Sequence, residues 1–324
     1  MIFTRLRQYI GVVSFSILLS LICVSHSFAQ SDLSIGVAPT SKILKMSPGE
    51  TYTDEIVFWN LTQKADTYKV FISGFEQIEN QPGTAIILTP EDDVLSTYSA
   101  SKWVTVQKDT LVLEPNKNTK LGYTITVPDD ATKGEFNVEI FLISQSDAQQ
   151  MTTATFSNLA AGTPFLIQIG EDFAENAELL GFITDKKIYE KINVDFFTRI
   201  KNLGDTHITP TGEIVVENIF KQEVARIPFN KNSQSLLRDT TGNFEDYWDQ
   251  LSYLSPNNAI ALGPLKARLI LTYRNFQPGF AVLDAQTSFW IIPWKILIAI
   301  LAAILLAIII RISKKKSKKK NEIH

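Results

Sequence analysis

Between residues 30 and 290, apolar side chains recur at every second position, and this period narrows the possible folds more than any other feature. Leu121, Tyr123, Ile125 and Val127 alternate with Gly122, Thr124 and Thr126, and Pro128 ends the run. Tyr68, Val70 and Ile72 repeat the pattern, as do Phe136, Val138, Ile140 and Leu142. In the second half Ile192, Val194 and Phe196 follow it, and later Ala267, Leu269, Leu271 and Tyr273. Side chains i and i+2 of a strand share a face, so each run has one apolar and one wetter side. Half-buried strands of this kind belong to antiparallel sheets, and Pro-Asp-Asp and Asn-Leu-Gly-Asp punctuate them here. The pattern predicts an all-β body of two tandem β-sandwiches.

The two ends read as membrane addresses. Arg5 and Arg7, an apolar run from Ile10 to Val24, and Ser27-Phe28-Ala29 form a signal-peptide pattern over residues 1–29. Near the other end, Ile296 to Ile310 is unbroken apolar sequence with eleven Leu or Ile. Counted from Phe289 to Ile310, 22 residues would form ~33 Å of helix, enough to cross a bilayer. Trp290 and Trp294 suit the interfacial aromatic belt, and Lys295 and Arg311 mark the two rims. Six lysines follow Arg311, which favours a cytoplasmic tail. The expected localisation is the cell membrane, single-pass, with the body extracellular.

The expected divisions are therefore a signal peptide at 1–29, sandwich domains at 30–170 and 171–288, the span at 289–311 and a basic tail at 312–324. Glu171 to Glu178 holds four acidic residues and no basic one, which suits a linker beginning near Gly170. One helix is expected in the second block, because Phe244, Tyr247, Trp248 and Leu251 stand at i, i+3, i+4 and i+7 behind a capping Asn243.

Ser47-Pro48-Gly49-Glu50, then Ile56-Val57-Phe58-Trp59-Asn60 and Tyr68-Lys69-Val70, resembles the first domain of WxL-interacting proteins. Leu113-Glu114-Pro115, Tyr123 to Pro128 and Gly134 continue the resemblance, which covers roughly 33–145. The family consists of Gram-positive surface proteins with a signal peptide, tandem Ig-like domains, a transmembrane helix and a basic tail. The resemblance implies a peptidoglycan partner for the first domain and a surface-protein partner for the second.

The chemistry of the body is sparse. Residues 30–290 carry 21 basic and 33 acidic residues, and an acidic body without clustered Lys/Arg argues against nucleic-acid binding. The one cysteine, Cys23, lies in the N-terminal apolar run, so disulfide frameworks and Cys-based zinc sites are excluded from the body. The body's one histidine, His207, reads as a surface loop residue. No G-x-S-x-G elbow or phosphate-binding glycine loop appears. Glu91-Asp92-Asp93 and Glu245-Asp246-Asp249 are the densest carboxylate groups and read as solvated charge. Residues 239–249 raise the question of a weak calcium site but lack EF-hand spacing. No cofactor, catalytic residue or metal site is expected, and the chain reads as no enzyme. Tyr247 and Trp248 are the candidate binding residues, because exposed rings stack on sugars and anchor interfaces.

These features lead to a membrane-anchored surface protein that binds cell-wall material or another envelope protein through its Ig-like domains. The alternative is a secretion or assembly factor that holds a client strand in the manner of fimbrial chaperones.

Overall fold

The computed structural model describes residues 35–145, 161–255, 259–273 and 281–321. The signal-peptide reading and Cys23 lie outside them.

The described chain is mostly β-sheet. In its N-terminal part, β1 (Ile35–Ala38), β3 (Thr51–Asn60), β9 (Asn118–Thr126) and β7 (Val104–Val106) form one sheet in that order. The facing sheet runs β2 (Lys42–Met46), β11 (Ala161–Ile169), β10 (Gly134–Ser144), β4 (Asp66–Ser73), β8 (Thr110–Leu113). The chain changes sheet at the cis Ala38–Pro39 bond: β1 pairs antiparallel with β3, whereas β2 pairs parallel with β11. The alternation seen in the sequence sets the register. Leu121, Tyr123 and Ile125 from one sheet meet Phe136, Val138, Ile140 and Leu142 from the other, all of them buried.

The C-terminal part repeats the plan around a separate core. A three-stranded sheet, β12 (Ala177–Thr184), β14 (Ile192–Asn202) and β17 (Thr241–Gln250), faces a five-stranded one. The latter is ordered β13 (Ile188–Tyr189), β19 (Val282–Ile291), β18 (Gly263–Thr272), β15 (Thr211–Asn218), β16 (Glu223–Phe229). Val194, Phe196, Phe244, Leu269 and Phe289 lie between the sheets and are essentially inaccessible. Both parts are therefore sandwich-like, as the period-two pattern predicts.

Two expected elements differ. The helix expected at Asn243 to Leu251 is strand β17. Phe244, Asp246 and Trp248 are buried while Asn243, Glu245, Tyr247 and Asp249 are exposed, so period two overrides an accidental helical spacing of aromatics. The C-terminal helix begins at Trp294, not at Phe289. Phe289 and Ile291 are pinned in the core by β19, and only Ile292 and Pro293 separate the strand from the helix. The stretch Trp294–Ile312 is 19 residues long, has a mean hydropathy of 2.8 and is not buried by the protein. At 1.5 Å per residue it measures ~28 Å, long and apolar enough to cross a membrane.

The expected linker is tied down. Leu203 N–H donates to Asn176 O at 2.8 Å and Asp205 N–H to Ala174 O at 2.8 Å, so Glu171 to Glu178 runs along the C-terminal sandwich.

Candidate functional site

The two sandwiches meet through polar groups contributed by short loops. From the N-terminal side comes a hairpin, β5 (Phe75–Gln77) and β6 (Ala85–Ile87), together with the first residues of β10. From the C-terminal side come the loops at 203–210 and 230–240. The Gln77 side chain is a hub. Its Oε1 accepts from Leu237 N–H and Thr240 Oγ1, both at 3.1 Å, and its Nε2 donates to Thr241 O at 3.2 Å. At the hairpin tip Gly83 N–H donates to Ser235 O at 2.8 Å, and Asn243 N–H donates to Asn80 O at 3.0 Å. Gly83 sits at φ +70°, and a Cβ there would also press on the Gln234 side chain at 3.1 Å, so both conformation and contact require glycine.

A second polar cluster lies beside the first. Glu135 is 3% exposed. Its Oε1 accepts from His207 N–H at 3.0 Å, and its Oε2 accepts from Gln168 Nε2 at 2.9 Å and lies 2.6 Å from His207 Nδ1. His207 is therefore a partly buried partner across the interface, its side chain 12% exposed, and not a freely exposed loop residue. Arg238 stacks 4.2 Å from the Tyr98 ring centre, and the Tyr98 hydroxyl donates to Asp239. Gly134, at φ +134°, leaves the space that Arg238 Nη1 occupies. A lone histidine in a turn carries no sequence mark of such a contact, because the glutamate that holds it lies 72 positions away.

Beside these clusters the sandwiches enclose an open cleft of about 580 Å³, lined by Lys42, Ile43, Gln77, Glu139, Pro164, Leu166 and residues 232–235 among others. Three features give it chemical character. β2 is an edge strand, so among the described residues the outer backbone edge of Lys42–Met46 has no strand partner. Ile43 on that strand is 53% exposed. Glu139 stands on the outer face of β10, between Ser73 and Pro164 on the neighbouring strands. Burial pushes its carboxyl up to about 7. Lys42 lies at the margin, 2.5 Å from Asp54 Oδ2, and its hydrogen bond is the main cause holding Asp54 down to about 2.

The residues singled out in the sequence lie elsewhere. Trp248 is 5% exposed, with its ring 6.4 Å from that of Phe289 in the core. Tyr247 is exposed on the opposite face, and its hydroxyl donates to Asn193 Oδ1 at 2.5 Å. The two therefore cannot present one stacking surface. Glu245 and Asp249 point outward while Asp246 is buried, where it accepts from Asn230 N–H at 3.0 Å. Among the described residues no group of His, Cys, Asp and Glu side chains forms a metal-ligand set. Trp290 and Trp294 are exposed beside the start of the C-terminal helix, and Lys295 Nζ is 2.9 Å from Glu190 Oε1. Arg311 lies near the other end of the apolar stretch.

No family model and no curated protein matches this chain. Solved structures do match. A chain from the complex of a chaperone with the tip adhesin of CFA/I fimbriae shares 14% identity, with a TM-score of 0.38, over 80% of this chain and 99% of that one. The class 5 fimbriae chaperone CfaA gives 13%, 0.36, 78% and 98%. A chain from the Salmonella enterica SafA pilin–SafB chaperone complex gives 11%, 0.35, 80% and 96%. The PapD-like domain 7 of human CEP192 also matches, at 12% and 0.27 over 43% of this chain.

The resemblance to WxL-interacting proteins is corrected here: no family model or curated protein supports it, and fimbrial chaperones, not WxL-interacting proteins, stand among the similar structures. The residues that carried it have local structural duties. Ser47 to Glu50 is a closed turn, with Glu50 N–H donating to Ser47 O and Ser47 N–H to Glu50 Oε2. Asn60 is fully buried, donating to Lys64 O and Leu113 O and accepting from Thr62 N–H. Asn202 does the same at the end of β14, donating to Thr206 O and accepting from Gly204 N–H. Both asparagines satisfy backbone groups where a strand ends, and Pro48-Gly49 makes the turn into β3. With the resemblance gone and Trp248 in the core, the wall-binding reading of the body loses both its supports.

Proposed function

We propose that this chain is a non-enzymatic assembly factor of the cell envelope, built of two Ig-like domains that meet near Gly170. It holds an extended segment of an exported client protein in the cleft between them. The observation that carries this reading is the backbone edge of β2, which has no strand partner among the described residues, at the mouth of the 580 Å³ cleft. An edge strand displays unpaired N–H and C=O groups at strand spacing, and an extended polypeptide satisfies them by adding a strand. Ile43 offers an apolar contact to such a strand. Lys42 and Lys45 place charge on the same edge, which discourages indiscriminate pairing. The hydrogen bonds of Gln77, Glu135 and Gly83 fix the angle between the sandwiches, so the cleft is formed before any client arrives.

The C-terminal helix tethers this body to the membrane in our reading, with the lysine-rich tail in the cytoplasm. A tether keeps the factor at the site where clients emerge from export.

A photo-reactive side chain at Ile43, in the full chain expressed in the source cells, tests the proposal. The control position is Leu251, which is fully exposed. Adducts to an exported protein at Ile43 alone are expected. Adducts to glycan, or equal labelling at both positions, would overturn it.

A further inference from the structure

The loop joining β12 to β14 forms the foot of the C-terminal sandwich and is fastened to the chain that enters the helix. Trp290 N–H donates to Lys187 O at 2.8 Å, and Ile292 N–H donates to Tyr189 O at 2.7 Å. The parallel pairing of β13 with β19 sets Ile188 beside Trp290, and both are exposed, at 62% and 47%. Trp294 follows, also exposed. An open recess of about 410 Å³ lies here, lined by Lys186, Ile188, Tyr189, Glu190, Lys191, Asn193 and Lys295.

The position of this recess is dictated by the helix. Trp290 precedes Trp294 by four residues, or ~13 Å of extended chain at most. A helix that enters the bilayer at Trp294 therefore puts the loop within reach of the headgroup layer, which adds roughly 5–7 Å to each side of the hydrocarbon core. The local charge departs from that of the body. Lys186, Lys187, Lys191 and Lys295 stand against Asp185 and Glu190, a net of two positive charges on an otherwise acidic ectodomain. Lys186 pairs with Asp185 at 3.0 Å and Lys295 with Glu190 at 2.9 Å. Lys187 and Lys191 have no ion-pair partner among the described residues. Exposed Ile and Trp beside uncompensated lysines match an interface in which acyl chains meet phosphates.

We infer that this recess binds the phosphate headgroup of an anionic glycerophospholipid on the leaflet facing the body. Lys191 supplies the uncompensated cation, Lys186 and Lys295 add donors that they share with Asp185 and Glu190, and Asn193 adds an amide, while Trp294 sits at the edge of the acyl carbons and Ile188 and Trp290 in the headgroup layer. The inference rests on the reading of Trp294–Ile312 as a membrane span. Occupation of the recess would hold the C-terminal sandwich against the membrane, and hence the cleft at a fixed height above it.

The test uses the full chain in nanodiscs of phosphatidylcholine with a minor fraction of phosphatidylglycerol. The lipids that remain bound on release are read by mass spectrometry. The six tail lysines are first replaced by Gln so that the tail does not contribute. At ~5-fold per uncompensated lysine near an anionic surface, and with Lys191 the uncompensated lysine of the recess, the bound lipid should be enriched about 5-fold in phosphatidylglycerol. K186Q/K191Q/K295Q should remove that enrichment, and 0.5 M salt should weaken it. Incorporation into discs with no enrichment, or enrichment that survives the triple substitution, would overturn the headgroup site and leave the span standing. Failure to incorporate would overturn the span itself and the inference with it.

Discussion

Glu135, at the start of β10 in one sandwich, is held by His207 of the other, with 2.6 Å between Glu135 Oε2 and His207 Nδ1. Both side chains are shielded from solvent, so the contact bears on the angle between the sandwiches as well as on their stability.

Removing the His207 ring leaves a buried carboxyl short of one partner, although Gln168 Nε2 and the backbone N–H of residue 207 still donate to it. H207A should therefore cost about 2–3 kcal/mol in chemical denaturation of the full chain. A double-mutant cycle with E135Q should give a coupling of about 1 kcal/mol or more. A coupling near zero would show that the pair does not act across the interface.

Stability should fall as pH rises from about 4 to 7. Burial raises Glu139 from 4.5 to about 7 and Asp246 from 3.8 to about 6. Across that window the folded chain holds protons that the unfolded chain has lost, so deprotonation works against folding, and the full penalty applies above the folded values. Each group should contribute on the order of 1–3 kcal/mol. E139Q and D246N should each stabilise the protein at pH 8 and flatten the profile. A rising or flat wild-type profile across the window would contradict this.

Gly83 should resist substitution although it sits at a surface turn. G83V forces a β-branched residue to φ +70° and against Gln234, at a cost of about 1–3 kcal/mol. Amide exchange across residues 230–241 should speed up, because the Gly83 to Ser235 hydrogen bond helps fix that loop. Unchanged exchange would mean that the hairpin does not brace the cleft.

Trp248 and Tyr247 should behave as opposites. W248A opens a cavity beside Phe289 and should cost about 3–5 kcal/mol. Y247A removes an exposed ring and one hydrogen bond to Asn193, so its cost should stay near 1 kcal/mol or less. Similar losses at the two positions would contradict the strand assignment of β17.

How far the sequence could be read depended on distance along the chain. Period-two runs such as Leu121 to Val127 and Ile192 to Phe196 state their own burial, so strands and facing sheets could be read directly. The 243–251 segment misled because its aromatics fall by chance at helical spacing, while the buried Asp246 broke the strand pattern with a charge. Hydropathy alone places the helix start five residues early, because it cannot separate Phe289, buried in a β core, from the apolar residues of the helix. The cleft was invisible for another reason. Gln77 meets Leu237 and Thr240, and Glu135 meets His207, across separations of 72 to 163 residues. Each residue taken alone is an ordinary polar side chain.

The central claim is that the edge of β2 receives a client strand. Hydrogen exchange on the purified client complex, compared with the free full chain, measures this directly. Strand addition predicts at least 10-fold slower exchange for alternate amides of Lys42–Met46, with the amides of the β14–β17 pair unchanged. Unaltered exchange along β2 in a complex that is demonstrably formed would contradict the account.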